Sequence, residues 1–238
     1  MLKLINHKTI FIHIPKTSGT NFKKIVTEHY SGEYFISNKK FNNVNALIVS
    51  ILWEQYDNKY VKTGLISTEY FNTIKSTLLF QINHSPLWVW KKSGMYNGEK
   101  VITISRNPYT KFISHYYHIL DYLNQYFEFT TPSPTEFINH EKINQILKAD
   151  PCSYLLNQVD YIKDESGNIK CDRFYKMETE METLEKDLSL TNINKFKFNR
   201  GYYDRKYSKL YTDELIEFVQ NHYKKDFDYF GYDKEPFW

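Results

Sequence analysis

Two short stretches carry residue types suited to holding phosphate. Residues 9 to 21 read TIFIHIPKTSGTN. After the apolar run, Lys16 supplies a point charge, Thr17, Ser18 and Thr20 supply hydroxyl donors, and Gly19 lets the main chain come close to a ligand, with Asn21 closing the stretch. In a loop leading from a strand into a helix, the first N–H groups of the helix and its dipole add a pocket for an anion. Residues 105 to 117 read SRNPYTKFISHYY. Asn107 reads as an N-cap and Pro108 as the first helical residue, which holds Arg106 at the carboxyl end of the preceding strand. Ser114 lies eight residues beyond Arg106, about two turns along that helix. A guanidinium fork and a hydroxyl so spaced converge on one phosphate dianion. The plainer alternative is a buried arginine paired with a helix end.

The elements that must position these groups are legible in the apolar pattern. Runs too dense for alternation occur at Ile10 to Ile14, Leu78 to Ile82 and Val101 to Ser105, as expected for parallel strands covered on both faces. Phe22, Ile25, Val26 and His29 recur at helical spacing after the first run; Phe112, Ile113, Tyr116, Tyr117 and Leu120 do so after the third. Strand, loop and helix alternate, which predicts a parallel α/β sheet with right-handed crossovers. In such a sheet ligands bind beyond the carboxyl ends of the strands, where both phosphate-type stretches fall. Ser133-Pro134 with Glu136, TEME at Thr179 to Glu182, and Thr212 with Asp213 and Glu214 read as further helix starts, the last sending Leu215, Ile216, Val219 and Tyr223 inward. DYIKDESGNIKCDRFYKM reads as two strands around an SGN turn, and 131 to 135 as a loop.

A chain of 238 residues without a linker or repeat is expected to form one domain, 1–238. A net charge of +3 gives no reason to expect nucleic acid or an acidic membrane surface as partner. The first fourteen residues lack the apolar core of a signal peptide, and no stretch is apolar enough to span a bilayer, so a cytoplasmic location is expected. Cys152 and Cys171 are expected as free thiols. Aromatic residues make up 18% of the chain; most belong to packing, and some tyrosines suit a cleft for sugars or nucleobases.

The first stretch is not a Walker loop, because Lys16 precedes the lone glycine instead of following a second one. The strand ends NHSP and SRNP also offer no carboxylate for Mg²⁺. PKTSGT at Pro15 to Thr20 and RNPYTKFISHY at Arg106 to Tyr116 together resemble the sulfotransferase superfamily, in particular its carbohydrate branch of heparan sulfate and chondroitin O-sulfotransferases. The C-terminal YTDELIEFVQNHYKKDFDYFGY resembles that branch's closing segment. Two departures are Asn107, where aspartate is common, and Lys111, where arginine is usual. The resemblance implies a three-layer parallel sheet of the P-loop-NTPase-like sulfotransferase fold. It also implies 3′-phosphoadenosine 5′-phosphosulfate (PAPS) as co-substrate, an oligo- or polysaccharide acceptor, and no metal. By it, Lys16 faces the departing bridging oxygen, residues 16 to 21 grip the 5′-phosphosulfate, and Arg106 with Ser114 grips the 3′-phosphate.

A base must take the acceptor's proton, and His84 is the choice, since FQINHSP sets it at the end of the second dense run, on the edge shared with Lys16 and Arg106. His13, His115 and Glu28 are the rivals. The basic, aromatic stretch 199 to 209 reads either as a cover over the adenosine or as a solvated loop. A nucleotide-dependent kinase and a catalytically silent binding module are the competing functions. The acceptor is expected to meet segments 31 to 76 and 121 to 175, which carry no readable code.

Overall fold

The computed structural model describes residues 2–4, 7–29, 34–36, 84–126, 132–139, 155–190 and 207–238. Five strands form one sheet in the order β3-β1-β2-β4-β5, namely β1 Leu2–Leu4, β2 Thr9–Ile12, β3 Tyr34–Ile36, β4 Lys100–Ser105 and β5 Arg173–Lys176. β2, β4 and β5 run parallel, with Ile12 opposite Thr103 and Ser105 opposite Lys176. β1 is antiparallel to both β2 and β3.

The sheet is therefore mixed, which corrects the expectation of a wholly parallel one. Its cause is chain length: the few residues between β1 and β2 suffice for an antiparallel turn, whereas a parallel return needs a dozen or more. Lys8 takes φ 46° in that turn, and the Thr9 hydroxyl donates to the His7 carbonyl at 2.9 Å.

A second correction concerns β5. The SGN turn is present, with one bridge between Lys163 and Ile169, but Arg173–Lys176 does not fold back on it. It joins β4 instead and becomes the third parallel strand. The run Leu78 to Ile82, expected in that role, lies outside the described residues.

Helices cover both faces of the sheet, so the three-layer expectation holds in its coarse form. Phe11, Ile102, Ile104 and Tyr175 pack with Phe22, Ile25 and Val26 of α1 (Gly19–His29) and Leu184 of α2 (Met181–Asp187). In chain order, the other helices are α3 (Leu87–Lys92), α4 (Pro108–Tyr126), α5 (Pro134–Asn139), α6 (Gln158–Tyr161), α7 (Asp213–His222) and α8 (Lys224–Phe230). Ile10, Ile12 and Val101 face Leu87, Trp90, Val159, Tyr161 and Phe230 on the opposite side. A third core joins α4, α5, α7 and α8 through Phe112, Tyr116, Phe137, Leu215, Val219 and Phe227. Among the described residues no helix is long and apolar enough to cross a membrane.

Side-chain capping explains some of the helix starts. Ser133 and Glu136 form the full reciprocal box, with the Ser133 N–H on Glu136 Oε2 at 2.6 Å and the Glu136 N–H on Ser133 Oγ at 3.2 Å. Thr212 accepts from the Leu215 N–H at 3.2 Å. Thr179 does not cap α2: Glu180 occupies that position without a side-chain cap, because its carboxylate is committed to the Lys176 N–H and the Arg173 guanidinium.

Candidate anion site at the carboxyl edge

Three loops meet where the parallel strands end. The turn Pro15 to Ser18 follows β2, Arg106 and Asn107 follow β4, and Met177 and Glu178 follow β5. Cross-links tie them together: Arg106 Nη1 donates to the Lys16 carbonyl at 3.0 Å, Ser18 Oγ to Met177 Sδ at 3.1 Å, and the Asn107 N–H to Glu178 Oε1 at 2.9 Å.

The first loop has an unusual main chain. Lys16 and Ser18 lie on the left-handed side at φ 63° and 65°, while Thr17 and Gly19 keep negative φ. Such alternation turns successive N–H groups toward one concavity, the arrangement that holds anions. Each left-handed residue other than glycine costs on the order of 1–2 kcal/mol, and strain of this kind concentrates at functional sites. Among the described residues, the N–H between Lys16 and Phe22 that has a main-chain acceptor is that of Phe22, on the Ser18 carbonyl at 3.1 Å. The first amides of α1, as at any helix start, have no acceptor within the helix's own hydrogen-bond ladder.

The side chains of this loop divide by role. Thr17 is fully buried and its hydroxyl donates to the Ile14 carbonyl at 2.9 Å, so it builds the turn instead of offering a donor to a ligand. The Ser18 hydroxyl is committed to Met177, Thr20 is exposed, and Asn21 is half-buried. Gly19 meets a requirement that the sequence did not advertise. A Cβ on it would stand 1.8 Å from Cδ2 of His13, so the imidazole fills the space over its Cα.

Positive charge gathers around Lys16. Burial lowers its pKa, the Arg106 guanidinium lowers it further, and Asp121 opposes both. His115 and His118 on α4 also feel Lys16, and burial chiefly holds both imidazoles below their ordinary value. One face of α4 presents Ser114, His118 and Asp121 at helical spacing. Ser114 itself is half-buried.

His84 lies on the same edge. Its ring lies with its centre 4.1 Å from that of His13, tilted by 49°, and its Nδ1 meets the His13 carbonyl at 3.1 Å. A carbonyl only accepts, so Nδ1 carries the proton and the lone pair falls on Nε2. Burial lowers the His84 pKa to about 3, and His13 is likewise held well below the ordinary value, chiefly by burial. The imidazoles form a neutral pair, and the near-neutral pKa that favoured histidine here is not what this environment gives.

Arg106 is 4% exposed. Its Nε donates to Thr110 Oγ1 at 2.9 Å, and that hydroxyl donates to the Asn107 carbonyl at 3.1 Å. Asn107 caps α4 as expected, accepting from the Tyr109 N–H at 3.0 Å. Lys111 is wholly buried, with its ammonium on the Leu156 carbonyl at 3.1 Å and 4.7 Å from the centre of the Tyr223 ring. It therefore supplies interior structure where the resemblance would set a phosphate-facing arginine.

Several residues of this edge escaped the sequence reading. The Gln158 amide pairs with both main-chain groups of Arg106, at 2.9 and 2.8 Å, and Asp226 accepts from the N–H groups of Gln158 and Val159 at 2.8 and 3.0 Å. The Tyr232 hydroxyl joins Ser105 at 3.1 Å and Glu178 at 3.0 Å. Glu178 is a carboxylate at a core strand end, where none was expected; its oxygens accept from Asn107 and Tyr232. The FGY ending is the available sequence signal for Tyr232, since Gly231 at φ 63° ends α8. Arg205 and Lys206 lie outside the described residues. Cys171 is free, and burial pushes its thiol up to about 12; Cys152 lies outside the described residues.

No family model, curated protein or solved structure matches this chain.

Proposed function

We propose that the chain is a PAPS-dependent O-sulfotransferase that moves the sulfuryl group in line onto a saccharide hydroxyl, without a metal. The observation that carries this reading is the left-handed Lys16–Ser18 turn at the carboxyl edge, tied through its Lys16 carbonyl to the start of α4. The amides of the helix start, a lysine whose charge is disfavoured by burial and by a neighbouring guanidinium, and one opposing carboxylate, Asp121, suit an anionic group at that turn.

In this reading Lys16 and the amides of residues 17 to 21 hold the 5′-phosphosulfate, and Lys16 stabilises charge that develops on the departing phosphate oxygen. By the resemblance the 3′-phosphate end falls to Arg106 and Ser114. His84 is the proposed base, with Nε2 as the accepting atom. Negative charge from the bound co-substrate would raise its pKa from the value that burial imposes. The oligo- or polysaccharide acceptor and a cytoplasmic setting complete the proposal.

Thermal unfolding with added nucleotide tests it. Stabilisation by 3′,5′-bisphosphoadenosine, absent with ATP and Mg²⁺, supports the reading. Stabilisation by ATP and Mg²⁺ alone supports a kinase and overturns it. Binding without transfer to any acceptor favours a silent module.

A further inference from the structure

We propose that Arg106 serves this site as a strut: its guanidinium holds the Lys16 carbonyl and so keeps the left-handed turn in the form that presents amides and ammonium to one anion. This inference rests on the anion-cradle part of the proposed function, and it assigns Arg106 a positioning role in place of a direct grip on the 3′-phosphate.

The arm is anchored along its length. Gln158 fixes both main-chain groups of Arg106, and Asp226 fixes Gln158 from below. Thr110 Oγ1 takes Nε at 2.9 Å, which sets the plane of the guanidinium, and Nη1 then meets the Lys16 carbonyl at 3.0 Å. With 4% of the residue exposed, the side chain is built into the wall of the site.

The turn needs such a partner. Lys16 and Ser18 both hold positive φ without being glycine or asparagine, so their conformation must be imposed by contacts. Thr17 is pinned to Ile14 and Ser18 to Met177, which leaves the Lys16 carbonyl as the point where the turn is tied to β4. Removing the arginine frees that carbonyl to rotate, and every amide downstream loses its aim.

A strut and a direct grip differ in which ligands they affect. Isothermal titration without metal would compare 3′,5′-bisphosphoadenosine with adenosine 5′-monophosphate on the natural chain, Arg106→Gln and Thr110→Val. The strut predicts that Arg106→Gln weakens both ligands by the same factor, on the order of tenfold or more, and Thr110→Val weakens both equally by a smaller factor. A loss confined to the ligand carrying a 3′-phosphate overturns the strut, as does no loss for either ligand. Near-ultraviolet circular dichroism checks folding; if Arg106→Gln does not fold, Thr110→Val decides by the same criterion. If the natural chain binds the monophosphate as tightly as the bisphosphate, the sulfotransferase reading fails while the strut is still judged on the monophosphate. If it binds neither, both fall.

Discussion

The imidazole of His13 occupies the space that a side chain on Gly19 would need, with a Cβ there reaching to 1.8 Å from His13 Cδ2. One glycine in a chain with only eight is thereby explained by packing, and the histidine becomes the floor beneath the first turn of α1. Gly19→Ala is expected to destabilise by about 1–3 kcal/mol through overpacking. In melting temperature that is on the order of 5 °C for a chain of this size. Adding His13→Ala should restore much of the loss, because the two changes share one space. Differential scanning calorimetry of both single variants and the double variant checks this; strictly additive losses would contradict it.

Lys16→Ala separates chemistry from folding. Alanine carries the same left-handed strain as lysine at φ 63°, so the melting temperature should stay within about 2 °C. Under the proposed reaction the lost charge contact costs about 2.7–4 kcal/mol in the transition state, on the order of 10²- to 10³-fold in rate. The rate of PAPS consumption, measured beside the melting temperature, gives both numbers.

Lys111 imposes a pH dependence with a definite sign. Burial lowers its pKa from 10.5 to about 8, with Asp226 and Asp160 opposing and Arg106 assisting. Between about pH 8 and 10.5 the unfolded chain binds the extra proton, so this group makes the fold more stable as pH rises through that window. Below about pH 8 its contribution is constant. The stability of the natural chain relative to Lys111→Met should therefore grow from pH 8 to pH 10, as read from urea unfolding at each pH. A constant difference would contradict the buried, depressed ammonium.

What the sequence disclosed and what it concealed follow from physical locality. β2 and β4 were legible because strands buried on both faces must be apolar throughout, and α4 because Asn107 and Pro108 announce a start. β5 was misread because Arg173, Phe174 and Lys176 are only partly covered, which leaves RFYK with the look of a hairpin arm. The short antiparallel strands β1 and β3 span three residues each, too few for any periodicity. In the site, the types at Lys16 and Arg106 pointed to an anion. Their partners are long-range: Gln158 lies 52 residues from Arg106, and Asp226 a further 68 from Gln158. Nothing in a local window identifies a glutamine that completes the hydrogen bonds of an arginine main chain, or a lysine that closes a core against Tyr223.

Transfer of ³⁵S from labelled PAPS onto a panel of desulfated oligosaccharides, in the presence of a metal chelator, tests the central claim most directly. The expected result is acid-stable label on a saccharide oxygen, formed by the natural chain and reduced on the order of a hundredfold or more by Lys16→Ala. Label that remains on PAPS throughout, alongside transfer of ³²P from ATP that requires Mg²⁺, would contradict it.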